Sequence, residues 1–336
     1  MFVPEDVVRA WSDELFDVVS SFSRKSDELC FLSADVSPVV LRWFKDFNPS
    51  IKIRGVVRGY FWVNDGSRGS AAALKRVLRS RNFAELRFLP LLHSKVLIFN
   101  YSRGSKVIVG SGNLTKRSFR EELNHFLVVS DSQIVSKFIE DFSKIWSAAS
   151  VDHVYEECSS ISLRSFDAAG LNQFLVGELV NKYLGGKVRL TNVLSRLNLS
   201  LPFYQWLFLF MVAEEMYIFS YLIEFEAAKR LIVPAAVNDV KIRIVASNRV
   251  SRGLVDMINN EISYRGGLER VKIKILNGIH AKTAVVKDKR GRWLVYIGSA
   301  ALTRSALFSE INHGVIVADR ELAMRLLDDF NECESI

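Results

Sequence analysis

His93-Ser94-Lys95 leads, after two apolar runs, into Gly110-Ser111-Gly112-Asn113-Leu114-Thr115. The same order returns as His280-Ala281-Lys282 followed by Gly298-Ser299-Ala300-Ala301-Leu302-Thr303. Working outward, Glu28-Leu29-Cys30-Phe31-Leu32-Ser33 matches Glu215-Met216-Tyr217-Ile218-Phe219-Ser220 at an offset of 187, the offset that also relates His93 to His280. Glu122/Glu310, Asn124/Asn312 and His125/His313 follow at 188. A repeat this long exceeds any solenoid unit and reads as two fused copies of one α/β domain.

Each copy carries the pattern of a mixed sheet. Apolar runs at 28–33, 51–58, 86–92 and 95–99 read as strands, with helices expected at 6–24, 70–80 and 131–148. Asn100 to Ser105 has turn chemistry, so 95–99 and 106–110 are expected to form a hairpin. The second copy repeats the order: helix 203–213, strand 216–220, helix 224–232, strand 240–246, helix 252–264, strand 271–276 and hairpin 282–297. The expected division is a first α/β domain over 1–150, a helical connector over 151–200 and a second α/β domain over 201–336.

Composition sets limits. In 336 residues, 49% hydrophobic and 24% charged, there is material for two cores. Three cysteines without ligand spacing argue against a disulfide scaffold or a metal cluster, and no metal or cofactor is expected. No secretory pattern is visible at Met1-Phe2-Val3-Pro4, and a reducing, cytoplasmic setting is expected. The apolar run Phe203 to Ala213 stops at Glu214, short of the ~20 residues a bilayer needs, so it is expected as a buried helix without stable membrane association. The net charge of +8 is concentrated. Between Lys52 and Arg87 nine basic residues face only Asp65 and Glu85, with Tyr60, Phe61 and Trp62 interleaved. Arg54, Arg58, Arg68, Lys75 and Arg79 from this segment are candidate contacts for a nucleic acid.

The chemistry follows from spacing. In a strand, residues i and i+2 share a face, so each histidine projects with its lysine. Small residues at Gly110-Ser111 and Gly298-Ser299 let an anion approach backbone and hydroxyl. One neutral and one protonated imidazole, with Lys95, Lys282 and Asn113 around them, can attack a phosphodiester and protonate its leaving oxygen. Ser111 and Ser299 are expected to support the phosphate. His125 and His313, at strand starts, are expected to be structural.

The doubled His-x-Lys with Gly-Ser-x-Asn-Leu-Thr resembles the phospholipase D superfamily over roughly 28–130 and 215–318. That resemblance implies two α/β domains about a pseudo-twofold, histidines meeting at their interface, metal independence and a covalent phosphohistidine on the first-copy histidine. Three departures stand out. The family's aspartate falls on Asn100 and Lys287, Ala301 replaces the second asparagine, and both copies read Glu-x-Asn where the family often shows Asn-x-Glu. Glu122 and Glu310 are expected to orient the histidines, a carboxylate being the better partner for a ring N–H. A lysine-plus-asparagine site without the aspartate resembles tyrosyl-DNA phosphodiesterase and some nucleases more than the lipases. The expected function is therefore a metal-independent nuclease, with DNA favoured over RNA and a helicase or restriction-type complex as a recruiting partner. The alternatives are a lipid-acting phospholipase D or phosphatidyltransferase, and a non-catalytic nucleic-acid-binding subunit in which Ala301 marks a decayed half. The retained His280-x-Lys282 argues against decay.

Overall fold

The computed structural model describes residues 6–9, 14–58, 84–89, 91–149, 201–266 and 270–336. The helix expected at 70–80, the aromatic cluster Tyr60 to Trp62, the candidates Arg68, Lys75 and Arg79, and the 151–200 connector lie outside the described residues.

The first copy comprises β1 (Asp6–Arg9), α1 (Glu14–Lys25), β2 (Glu28–Ser33), α2 (Pro38–Phe47), β3 (Lys52–Val57), β4 (Glu85–Phe88), β5 (Lys95–Tyr101), β6 (Gly104–Gly110), α3 (Lys116–Arg120), β7 (His125–Val129) and α4 (Ser132–Ala148). The second comprises α5 (Leu201–Val212), β8 (Ala213–Ser220), α6 (Phe225–Val237), β9 (Lys241–Ser247), α7 (Arg252–Tyr264), β10 (Val271–Leu276), β11 (Lys282–Asp288), β12 (Trp293–Gly298), α8 (Arg304–Phe308), β13 (Gly314–Val317) and α9 (Arg320–Ser335). The first sheet runs β1-β7-β6-β5-β2-β3-β4 and the second β10-β9-β8-β11-β12-β13. In both, three parallel strands continue into an antiparallel hairpin and a further antiparallel strand. The two copies thus share one topology, apart from β1.

β1 corrects the helix expected over 6–24. Asp6–Arg9 pair antiparallel with β7 and the helix begins at Glu14. An edge strand offers these four residues backbone partners that an isolated helical turn would not supply.

Strand alternation determines where each face goes. Leu29 and Phe31 on β2, with Leu97 and Phe99 on β5, pack under α1 and α2. Their neighbours Cys30, Leu32, Val96 and Ile98 turn to the opposite face and join a core shared with Val285, Val295 and Ile297 of the second sheet. Val135 and Phe138 of α4 and Leu322 and Leu326 of α9 complete that shared core. The other face of the second sheet buries Met216, Ile218, Ala284 and Tyr296 beneath α5, α6 and α7. Trp206 of α5 is fully buried there, so the apolar run around it is core. Among the described residues, no helix is long and apolar enough to cross a membrane.

The repeated Leu-Thr has a local cause. Thr115 caps α3 by accepting from the Ser118 amide, and Thr303 caps α8 by accepting from the Ala306 amide. The copies also meet through matched backbone contacts. Leu92 bridges Ile311 as Ile279 bridges Leu123. The His93 amide donates to the Ile311 carbonyl, and the His280 amide to the Leu123 carbonyl. Equivalent residues exchange equivalent contacts, which is a pseudo-twofold.

Candidate active site

Both histidines sit where those exchanged backbone contacts cross. His93 Nδ1 lies 2.9 Å from Asn312 Oδ1, and His280 Nδ1 lies 2.8 Å from Asn124 Oδ1. Each ring is therefore held by the other copy. The asparagine orientations are fixed from behind: the Asn312 amide donates to the Ala306 and Glu310 carbonyls, and that of Asn124 to the Ser118 and Glu122 carbonyls. Their oxygens also accept from the Ser299 and Ser111 hydroxyls, at 2.8 and 3.0 Å. An amide oxygen only accepts, so each Nδ1 must carry the proton and each Nε2 is left for chemistry.

This changes two expectations. The glutamates do not hold the rings directly; Glu310 is 3.6 Å and Glu122 3.8 Å from the respective Nδ1. Each carboxylate instead pairs with an arginine, Glu310 with Arg58 and Glu122 with Arg117, both at 2.9 Å. Charge pairing with a guanidinium outcompetes a neutral ring N–H for the carboxylate. Ser111 and Ser299 are fully buried and steady the asparagines, so their hydroxyls are engaged away from the phosphate role expected for them.

The lysines converge. Lys95 and Lys282 are buried and donate to the carbonyls of His93 and His280. Burial first, then Lys282 and Arg58, push the Lys95 ammonium well below its ordinary value. Burial lowers Lys282 to about 7, against the pull of Glu122 and Glu310. The histidines respond to the same charges. Burial, Lys95, Lys282 and Arg58 hold His93 well below 6.5; burial, Lys282, Lys95 and His93 do so for His280. Both imidazoles and both lysines thus act on one another in one pocket, with Glu122 and Glu310 at its edge.

Asn113 donates to Asp35 at 3.2 Å, and the Asp35 charge bears on Lys95. In the second copy the asparagine and its carboxylate are absent together: Ala301 and Leu222 occupy the equivalent positions. The paired change marks Ala301 as one part of a remodelled second half. Tyr221 follows from the same asymmetry. It stands where the first copy has Ala34, and its ring centroid is 4.6 Å from that of His280. The His93 side chain is 20% exposed and that of His280 11%, so approach is freer to His93.

The basic candidates divide. Arg58 joins the site, donating to the Leu92 carbonyl and Glu310. Arg54 does not: Glu28 grips it through two oxygens, and it lies 5.6 Å over Trp146 of α4. Its role is structural, because packing on an aromatic face and a forked carboxylate satisfy the guanidinium within the fold. Arg87 is likewise stacked on Trp146, at 4.2 Å. Asn124, Asn312, Tyr221 and Arg117 were missed as site residues; duplication at 188 was the signal available for the asparagines.

Behind the site, two further relays cross the copies. His313 joins Ser94 at 2.7 Å to Asp141 at 3.3 Å, while His125 bonds Thr283 at 2.9 Å and lies 3.4 Å from Asp329 without a hydrogen bond to it. All six residues are buried, so these contacts brace the interface between the hairpins that carry the two His-x-Lys motifs. Asn100 and Lys287 lie on β5 and β11 away from the pocket; Asn100 donates to Glu28 and Lys287 pairs with Glu214. Among the described residues, no cluster of three or more histidine, cysteine or acidic side chains could hold a metal ion.

The family model described as "Cardiolipin synthase, PLD-like domain" matches residues 54–146 and 212–333. The chain belongs to the phospholipase D superfamily. Enzymes of this superfamily generally act on phosphodiesters. No curated protein matches the chain by sequence. The phosphatidylserine synthase of Haemophilus influenzae Rd KW20 shares the fold, with a TM-score of 0.61 and 11% identity over 99% of this chain and 87% of that one. The polyphosphate kinase of Porphyromonas gingivalis gives a TM-score of 0.59 and 13% identity over 98% of this chain; the match spans only 50% of the kinase. Nuc, a phospholipase D family member from Salmonella typhimurium, is 18% identical over 43% of this chain and 94% of its own, with a TM-score of 0.36. The synthase and the kinase thus share the fold of this phospholipase D-like chain.

Proposed function

We propose that the protein is a metal-independent phosphodiesterase that cleaves nucleic acid through a phosphohistidine on His93. The observation that carries this reading is the exchanged pair of His–Asn bonds, which leaves two Nε2 atoms free in one lysine-lined pocket. His93, neutral and the more accessible, attacks phosphorus; a P–N bond forms as the bond to the leaving oxygen breaks. His280, carrying a proton on Nε2, delivers it to that oxygen. Water then gives its proton to His280 and attacks phosphorus, the P–N bond breaks and His93 is regenerated. Lys95, Lys282 and Arg58 stabilise the charge that builds on the phosphoryl oxygens, with Asn113 at the first-copy edge.

Burial and the neighbouring cations disfavour an imidazolium at either position. The substrate therefore has to supply the negative charge that lets His280 hold its second proton. A phosphodiester anion beside two buried ammoniums does so. Nucleic acid is favoured over lipid by the character of the surroundings. Arg58, Arg117 and Arg249 flank the site, whereas the exposed large hydrophobics among the described residues are spread over several helices and the chain end. The test is a panel of labelled single- and double-stranded DNA and RNA, beside phospholipid vesicles, all in EDTA with H93A as control. Oligonucleotide turnover that vanishes in H93A supports the reading. Vesicle turnover without oligonucleotide turnover replaces it with lipid chemistry.

A further inference from the structure

Arg249 stands outside the machinery described above. It lies in the loop after β9 and is exposed, and its guanidinium carbon sits 5.3 Å over the ring of Tyr221. That ring neighbours the His280 imidazole at 4.6 Å and the Lys282 ammonium at 5.1 Å. One aromatic ring thus separates Arg249 from the group that protonates the leaving oxygen. The other two flanking arginines differ: Glu310 binds Arg58 and Glu122 binds Arg117. Among the described residues no carboxylate pairs with Arg249. Arg249, Glu122, Arg117 and Asp35 all act electrostatically on the Tyr221 hydroxyl, which sets Tyr221 at the rim where the copies meet.

We infer that Arg249, steadied on Tyr221, anchors a second phosphate on the leaving-group side, the phosphate next to the one being cleaved in a nucleic-acid strand. This rests on the nuclease reading and deepens it. A guanidinium stacked on an aromatic face keeps its N–H edges free to donate and loses little freedom on binding. The scissile phosphate already has Lys95 and Lys282. An additional cation, one ring beyond His280, matches a substrate that continues past the leaving oxygen with another negative charge. The first copy carries Ala34 at the position of Tyr221, so the equivalent ring is missing there. The anchor therefore also gives the strand a direction through a nearly symmetric site.

The test compares binding of thymidine 5′-monophosphate and thymidine 3′,5′-bisphosphate to the full chain at low salt. The wild type should prefer the bisphosphate about tenfold. R249Q and Y221L should each lose most of that preference, and Y221F, which keeps the ring, should retain it. K241Q removes an exposed cation that faces Glu215 instead of the site, and should also retain it. Equal binding of both ligands by the wild type, or an undiminished preference in R249Q, overturns the anchor. The two readings fail separately. Oligonucleotide cleavage without the bisphosphate preference removes the anchor alone. An Arg249-dependent preference without oligonucleotide cleavage upholds the anchor and removes the nuclease.

Discussion

Asn312 of the second copy holds His93 of the first, its Oδ1 accepting from the ring Nδ1–H at 2.9 Å. Each histidine is held by the other copy, so the candidate site is assembled where the copies are joined. Ser299 and the Ala306 carbonyl fix the asparagine, so the histidine tautomer is set two contacts deep.

Loss of this partner should slow chemistry more than binding. N312A is expected to lower kcat by roughly 10–100-fold with a small change in KM. N312D should restore orientation but place a carboxylate beside the ring, favouring the imidazolium. The acid limb of the kcat/KM profile should then move to higher pH. An unshifted limb in N312D would contradict direct Asn312–His93 coupling.

The pH profile of the wild type follows from the pocket charges. Burial and cations hold His93 well below 6.5, so it stays neutral, and able to attack, to more acid pH than an ordinary histidine. Lys282 at about 7 sheds its charge as pH rises through that value, weakening phosphate binding. His280, also held well below 6.5, must keep its Nε2 proton, so the kcat/KM profile should have its acid limb below 6.5, begin to fall below 6.5 as well, and fall further above about 7. Bound phosphate raises the Lys282 pKa, so the alkaline limb of kcat should lie higher than that of kcat/KM. Coincident alkaline limbs would count against Lys282 as a phosphate ligand.

The interface relay should matter for stability. Asp141 lies 3.3 Å from His313 Nε2 across the copies. D141A leaves that buried ring nitrogen without its acceptor and should cost about 1–3 kcal/mol in urea unfolding. A change within a few tenths of a kcal/mol would mean the relay is incidental.

Close approach at the motif glycine gives a steric prediction. A Cβ at Gly298 would meet the Tyr296 hydroxyl at 2.5 Å and the His313 carbonyl at 2.8 Å. G298A is expected to destabilise the protein by about 1–3 kcal/mol and to disturb Ser299, reducing kcat as well. Wild-type melting and turnover together would show that the turn has room the packing does not suggest.

Much of this architecture could be read from the chain. The offset between His93 and His280 located two copies, and period-two alternation located the strands that carry Lys95 and Lys282. What stayed hidden was exchange between the copies. Glu122 and Asn124 are two residues apart and carry similar groups, so spacing could not tell which faces His280. The choice is made by Arg117, which draws the carboxylate aside, and by Ser111, which aims the amide. Arg54 misled for a related reason. Its partner Glu28 is adjacent only once β2 and β3 pair, and the charge count along the segment cannot register that. β1 was missed because four residues carry too little periodicity to outweigh the helix that follows.

The phosphohistidine is the most direct point of test. Wild-type protein, mixed in EDTA with an oligonucleotide labelled on the side that His93 would retain, should be quenched during turnover in alkali and digested. The account predicts an alkali-stable, acid-labile label on the peptide containing His93, absent in H93A, and accumulating in a variant such as H280N where leaving-group departure still proceeds. Full turnover by H93A, or label found only on His280, would contradict it.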